Sequence, residues 1–366
     1  HDVFGQRYDA AGEQVGGEFR VNSSTSGNQE HPRVSALDEG FVVTWTDTSG
    51  GSHGGSGTDV FAKVFTTKNV ETPSLERDEF LVNTGTTNEQ DDPQVASLKD
   101  GGFVIIWRDS NGTNDNQSGD GIDVFGQRYD ATGAAKGSEF LVNTEDDGSQ
   151  YEPAVAAHGD GFVVTWRDDQ GGSHGGSSYD VRAKTFTTMD GTNPVDTPVV
   201  AVDEFLVNDT VDAAKNISSY AGSQYQPSVT DLSDGGFVIT WLDTSGADNP
   251  DGGSSYDVFG QRYDDTGAPK GDEFRVNMTA YESQEEPEVT ALKDGAFVVT
   301  WQAEGQDGDA GHEHNVYSQV FATQDGGSSF DTPVPVGGET LVNTYTSGQQ
   351  YYPSVAGLDD GGFVVS

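Results

Sequence analysis

The sequence predicts an all-β fold, a six-bladed β-propeller built from four-stranded blades. Three observations predict it: a set of motifs that recurs six times, four strand-like segments in each recurrence, and turn-forming residues between them without sustained helical periodicity.

The recurrence sets the frame. EFxVN begins at Glu18, Glu79, Glu139, Glu204 and Glu273, with a weaker copy, Glu339-Thr-Leu-Val-Asn343. A Gln-x-x-Pro step follows each time, ending at Pro32, Pro93, Pro153, Pro227, Pro287 and Pro353. A GFVVTW-like segment then closes at Trp45, Trp107, Trp166, Trp241 and Trp301, and the sixth copy stops at Ser366 before a Trp. A DVFGQRYD-like segment begins at Asp2, Asp59, Asp123, Asp180, Asp257 and Asn315. The period is about 60 to 70 residues.

Each segment is rich in Val, Phe, Tyr and Trp and bounded by Gly, Asp, Asn or Pro, which reads as strands and turns. Asp100-Gly101 and Asp234-Gly235, flanked by apolar residues, are hairpin signals between the second and third segments. Four strands at this period fit a propeller blade; a solenoid would need long coils, and a linear array of β-modules is the remaining alternative.

In this frame the chain opens on a fourth strand (Asp2 to Asp9) and ends on a third (Gly361 to Val365). Residues 1–9 are therefore expected to complete the last blade of a single domain spanning 1–366. The fourth strand alternates between DVFGQRYD (Asp2, Asp123, Asp257) and a form ending at Phe65, Phe186 or Phe321 that runs into Pro73, Pro198 or Pro333. Blades should thus pair into a unit of about 120 to 135 residues, repeated with pseudo-threefold symmetry.

Composition narrows the function classes. Of 366 residues, 61 are Asp or Glu and 18 are Lys or Arg, a formal charge of −43, which disfavours nucleic acid and anionic lipid surfaces as partners. No apolar run is long enough to insert across a membrane. The absence of Cys excludes disulfides, Cys-ligated zinc and thiol catalysis. Low hydrophobicity with high charge would suggest disorder, but 19 Phe, 13 Tyr and 5 Trp argue for a packed core. Such acidity calls for cations, whether bound metal or concentrated salt as in a halophile.

Candidate chemistry concentrates in the loops between the third and fourth segments. They run from Asp47 to Asp59, Asp109 to Asp123 with Asp120, Asp168 to Asp180, and Asp243 to Asp257 with Asp251; a diverged copy holds Asp307 and Asp309. Gly-rich loops pinned by carboxylates can supply the six to eight oxygens that Ca²⁺ takes, and hard oxygen donors favour it over zinc or copper. Exposed turns are also where Asp and Gly collect without binding anything. Asp91, Asp92, Asp146 and Asp147 add carboxylates in the Gln-x-x-Pro region, to complete such sites or form a negative rim. His53, His174 and His312 or His314 occupy related loops and read as exposed loop histidines. The repeated Gln29, Gln90, Gln150, Gln224, Gln284 and Gln350 read as structural hydrogen-bonding groups, the tryptophans as packing between blades, and Arg7, Arg128 and Arg262 as ion-pair partners. Glycoside hydrolysis needs a carboxyl shielded enough to stay protonated, and among so many acids none stands out; GxSxG, HExxH and a sialidase-type SxDxGxxW turn are absent.

The blocks EFxVN, QxxPxV, LxDGGFVVTW and DVFGQRYDAxG, tiled over essentially the whole chain, resemble repeats of very large, type I-secreted, calcium-dependent bacterial adhesins of the RTX kind. The RTX nonapeptide itself is missing. The resemblance implies a secreted or cell-surface segment of a longer polypeptide that binds calcium, serves adhesion or a filament beside neighbouring copies, and lacks catalysis. A lectin-like propeller binding surface glycans through calcium is the first alternative, and a glycan-processing enzyme the second.

Overall fold

The computed structural model describes all residues except 10, 51–56, 68–72, 111–120, 145–147, 170–178, 209–221, 245–255, 280–282, 305–313, 326–327 and 346–347. The described chain is all-β, with four-stranded antiparallel sheets in the arrangement of a six-bladed β-propeller and no α-helix among the described residues. It divides into two compact units, His1–Phe162 with Phe186–Ala201, and Val163–Thr185 with Val202–Ser366.

The first full sheet runs β3 (Gln29–Leu37), β4 (Gly40–Asp47), β5 (Asp59–Thr66) and β6 (Ser74–Leu81). The second runs β7 (Gln90–Ser97), β8 (Phe103–Asp109), β9 (Asp123–Tyr129) and β10 (Ala135–Leu141), and the third β11 (Gln150–His158), β12 (Gly161–Asp168), β13 (Asp180–Asp190) and β14 (Asn193–Leu206). The fourth comprises β15 (Gln224–Asp231), β16 (Phe237–Asp243), β17 (Asp257–Tyr263) and β18 (Phe274–Arg275); the fifth comprises β19 (Gln284–Ala291), β20 (Phe297–Glu304), β21 (His314–Asp325) and β22 (Ser328–Leu341). Two half-blades occupy the chain ends: β1 (Phe4–Tyr8) paired with β2 (Gln14–Arg20), and β23 (Val355–Gly357) paired with β24 (Phe363–Val365).

The blade frame is shifted by one strand from the expected one. EFxVN is the last strand of a blade, not the first, because a tight turn folds it back onto the DVFGQRYD strand before it. At Asp130 the carboxylate accepts the N–H groups of Thr132 (2.9 Å) and Ala134 (3.0 Å), and Gly133 follows at φ +83. Asp264 repeats this with Thr266 and Ala268. Such Asx turns set a hairpin by themselves. Pairing then places Phe140 opposite Gly126 and Leu141 opposite Phe125. A Cβ on Gly126 would lie 2.6 Å from the Phe140 ring, and Gly5 and Gly260 meet Phe19 and Phe274 at 2.7 Å. The Gly of one motif is thus the seat of the Phe of the next.

The second strands are buried almost end to end, so they read as apolar runs rather than alternating patterns. In the first unit Val42, Val60, Ala62 and Val64 pack with Phe103, Ile105, Trp107, Phe125 and Tyr129 of the next blade. Val238 and Val258 meet Phe297, Val299, Trp301 and Tyr317 in the second unit. All five tryptophans are buried, as expected of residues packed between blades. The last strands carry the charge, as Ser74–Leu81 does, which blunts an exposed sheet edge against further pairing.

Two blade types alternate. β13–β14 and β21–β22 are long hairpins, whereas β9–β10 and β17–β18 turn at the Asp-x-x-Gly step. Arg128 pairs with Asp100 of its own blade and reaches the Val195 carbonyl of the adjoining long hairpin; Arg262 pairs with Asp234. These arginines have the structural role their sequence context implies.

Candidate functional site

The Asn of EFxVN and the Gln of Gln-x-x-Pro, present in all six repeats, form a latch with a residue that is Asp in five of them and Asn315 in the sixth. Asn83 accepts the Val60 N–H (2.8 Å) and donates to Asp59 (2.8 Å) and to the Gln90 carbonyl oxygen (3.3 Å); Gln90 in turn donates to Asp109 (3.0 Å). Asn22, Asn208 and Asn277 work in the same way on Asp2, Asp180 and Asp257. Each latch ties the end of one blade to the first strand of the next, so Asn, Gln and Asp recur for structural reasons.

The expected metal ligands that lie among the described residues stand at or beside these latches. Asp47 faces Asp59 across the β4–β5 ladder, Asp109 faces Asp123, and Asp243 faces Asp257. Gln29 donates to Asp47 (3.3 Å), Asn143 to Asp123 (2.8 Å) and Gln224 to Asp243 (3.0 Å), while Arg182 pairs with Asp168. Asp120, Asp251, Asp307 and Asp309 lie outside the described residues, as do Asp146, Asp147, His53, His174 and His312. No group of three or more metal-capable side chains converges among the described residues. The described carboxylates stand in twos and accept amide hydrogens, whereas Ca²⁺ takes six to eight oxygens, and the middle of each loop lies outside the described residues.

The residues between Gln and Pro behave differently. His31, Asp92, Glu152, Gln226, Glu286 and Tyr352 all stand at φ between +51 and +56. A side chain at positive φ is uncommon, and a following proline restricts the backbone further. The ladder slips at this place, between Glu30 and Arg33, Asp91 and Gln94, Tyr225 and Ser228, and Glu285 and Glu288. A bulge of this kind re-aims side chains, and stored backbone strain gathers at functional sites. Around it the repeat holds Gln and Pro constant, while the bulge residue is His, Asp, Glu, Gln, Glu or Tyr in turn.

In the first unit β3, β7 and β11 lie side by side and bring three bulges together. Arg33 donates to Gln94 (3.1 Å), binding two first strands to each other. Asp91 holds Arg108 in a two-pronged ion pair (2.7 and 2.6 Å), and that guanidinium lies 5.7 Å over the Tyr151 ring. Asp92, half-buried beside them, accepts a long hydrogen bond from Gln94 (3.4 Å). Desolvation raises its carboxyl above the usual carboxylate range; Arg33 pulls it down, Asp91 pushes it up, and Arg108 and His31 pull down, but desolvation wins. A carboxyl shifted upward by desolvation is better placed than an exposed one to act as a proton donor.

In the second unit β15, β19 and β23 are neighbours in the same way. Gln226 donates to Glu286 (2.7 Å) and accepts the Glu286 N–H (3.0 Å). Arg167 stacks on Tyr179 and Tyr225 at 4.7 and 5.1 Å. His314 lies 4.0 Å from Glu285 and accompanies Tyr351 and Tyr352. This half is aromatic and amide-rich where the first is charged.

Asp91 and Asp92 lie on a first strand, and Glu152 is a residue that sequence reasoning does not single out. One signal could have found it: within a nearly invariant repeat, the pair of residues between Gln and Pro is where the copies differ.

No family model and no curated protein matches the chain. Solved structures do share its fold. The α-L-arabinanase of Penicillium chrysogenum complexed with arabinobiose is 15% identical with a TM-score of 0.52, over 92% of this chain and 88% of that one. The GH93 α-L-arabinofuranosidase of Fusarium graminearum with arabinobiose is 11% identical with a TM-score of 0.53, over 93% and 89%. A protein of unknown function from Dyadobacter fermentans is 12% identical with a TM-score of 0.51, over 92% and 88%. The expected kinship with RTX-type adhesin repeats, and with it the non-enzymatic calcium-dependent adhesion module, is corrected by these findings: structures sharing this propeller include sugar-cleaving enzymes.

Proposed function

We propose that this chain is a glycan-cleaving enzyme that hydrolyses glycosidic bonds at the bulges of its first unit. The observation that carries the reading is Asp92, a carboxyl raised by desolvation and set on a strained bulge among carboxylates, arginines and a tyrosine. Glycoside hydrolysis needs such an acid to protonate the leaving oxygen and a second, ionised carboxylate to act as base or nucleophile. Asp92 is the acid. Glu152, at the matching position of the neighbouring first strand, is the second carboxylate, because Asp91 is committed to Arg108. Arg33 and Arg108 shape the field around Asp92, and Tyr151 offers a ring for a sugar to rest on.

The shared architecture with two arabinose-processing enzymes supports the reading and makes arabinan the first substrate to try. Release of reducing ends from arabinan and from a panel of neutral polysaccharides tests it. Wild type should turn over one of them, and Asp92→Asn should lower kcat about 10²- to 10⁴-fold, the size of a general-acid contribution. No turnover on any member, or an Asp92→Asn variant as active as wild type, removes the proposal.

A further inference from the structure

The second unit displays aromatic rings that neither its core nor the catalytic reading uses. Tyr351 and Tyr352 are 48% and 74% exposed, and Tyr352 stands on the last of the six bulges at φ +56. Aromatic side chains of this size are normally drawn inside, so exposed ones set among polar groups mark a contact surface.

The ledge is held rather than loose. The Tyr352 N–H donates to the Gln302 carbonyl oxygen (3.0 Å), and the Gln302 amide donates to Glu285 (3.2 Å). Tyr351 leans on the His314 ring at 4.9 Å and on Tyr352 at 6.1 Å. His314 is fixed in turn by Gln349, whose carbonyl oxygen accepts its N–H at 2.8 Å. Two tilted phenols with a carboxylate, an amide and an imidazole beside them offer an apolar plane edged by hydrogen-bonding groups.

We propose that this ledge is a separate sugar-binding subsite, on which a neutral glycan rests one ring against Tyr352 and Tyr351 while its hydroxyls meet Glu285 and Gln302. A sugar ring has one face of C–H groups and a rim of hydroxyls, which is the complement of this surface. Nucleic-acid bases would stack too, but a chain of charge −43 repels their phosphates, and it repels polyanionic glycans for the same reason. The inference rests on the proposed function for its choice of glycan and stands on different residues.

Titration calorimetry of the full chain with neutral arabino-, xylo- and gluco-oligosaccharides tests it. At least one should bind wild type, and Tyr352→Ala should weaken that binding at least about tenfold, with Tyr352→Phe retaining most of it. Melting temperatures of the variants should match wild type, because Tyr352 is exposed. Asp92→Asn should lower kcat about 10²- to 10⁴-fold and leave this binding in place, which separates the two claims. Three results would overturn the subsite: no binding to any member of the panel, equal binding by the Tyr351→Ala/Tyr352→Ala double variant, or light scattering showing self-association that the double variant loses.

Discussion

Replacing Asn83 by Ala removes the centre of one latch and leaves every apolar contact in place. Four groups lose one hydrogen bond each: the Val60 N–H, the Asp59 carboxylate, the Gln90 side-chain oxygen and the Gly85 carbonyl. Asn83, Asp59, Gln90 and Val60 are all at most 5% exposed, so water does not readily replace the missing amide. A buried group left unsatisfied costs about 1–3 kcal/mol and a lost hydrogen bond about 0.5–1.5 kcal/mol, so the loss should be about 2–5 kcal/mol. Urea unfolding at neutral pH should show this as a lower midpoint with an unchanged slope. Asn83→Asp makes a sharper variant, because it can still accept the Val60 N–H but turns a second carboxylate toward Asp59. It should lose at least as much at neutral pH and recover part of the loss on acidification. A loss below about 1 kcal/mol for Asn83→Ala would refute the latch as the reason that Asn, Gln and Asp recur.

Further outcomes follow from single side chains. Trp107→Ala, which empties a fully buried site between two blades, should cost about 3–5 kcal/mol by calorimetry. Asp264 is held below the usual carboxylate range by the Thr266 hydroxyl and the N–H groups of Ala268 and Thr266. Its stabilisation is therefore present above the unfolded value near 3.9 and is lost as pH falls through the folded one. Asp264→Ala should lower the urea midpoint at neutral pH by an amount equivalent to about 0.5–1.5 kcal/mol, and the gap should close in strong acid. Asp92 has the opposite sign: its raised carboxyl favours the folded state in acid, and that contribution is lost as pH rises through the folded value. Asp92→Asn should thus raise the midpoint near pH 7 while removing activity, a stability–activity trade visible in one pair of experiments.

The sequence made the scaffold legible because identical residues do identical jobs. Asn of EFxVN, Gln of Gln-x-x-Pro and the flanking aspartates recur with the latch they build, and Trp recurs with the space between blades. The blade frame was misread by one strand, since EFxVN stands close in sequence to both of its neighbours. What decides the pairing is the Asx turn at Asp130 and Asp264, a local hydrogen-bond pattern rather than a hydrophobic one. Recurrence alone does not separate ligands from structural groups: the aspartates at both ends of these loops also accept amide hydrogens. The site was hidden for a physical reason. Nothing in the identity of Asp92 or Glu152 announces a left-handed backbone before proline, and desolvation of one carboxyl among 61 acids depends on the neighbouring blades.

The proposed catalysis turns on Asp92 as a proton donor whose carboxyl lies above the usual carboxylate range. Carbon-13 chemical shifts of its carboxyl, titrated beside kcat/KM on the best substrate, test this most directly. The account predicts that Asp92 titrates above the ordinary value near 3.9 and that kcat/KM falls on the alkaline side with the same midpoint. An Asp92 that titrates at or below that value, or an alkaline limb that bears no relation to its titration, would contradict it.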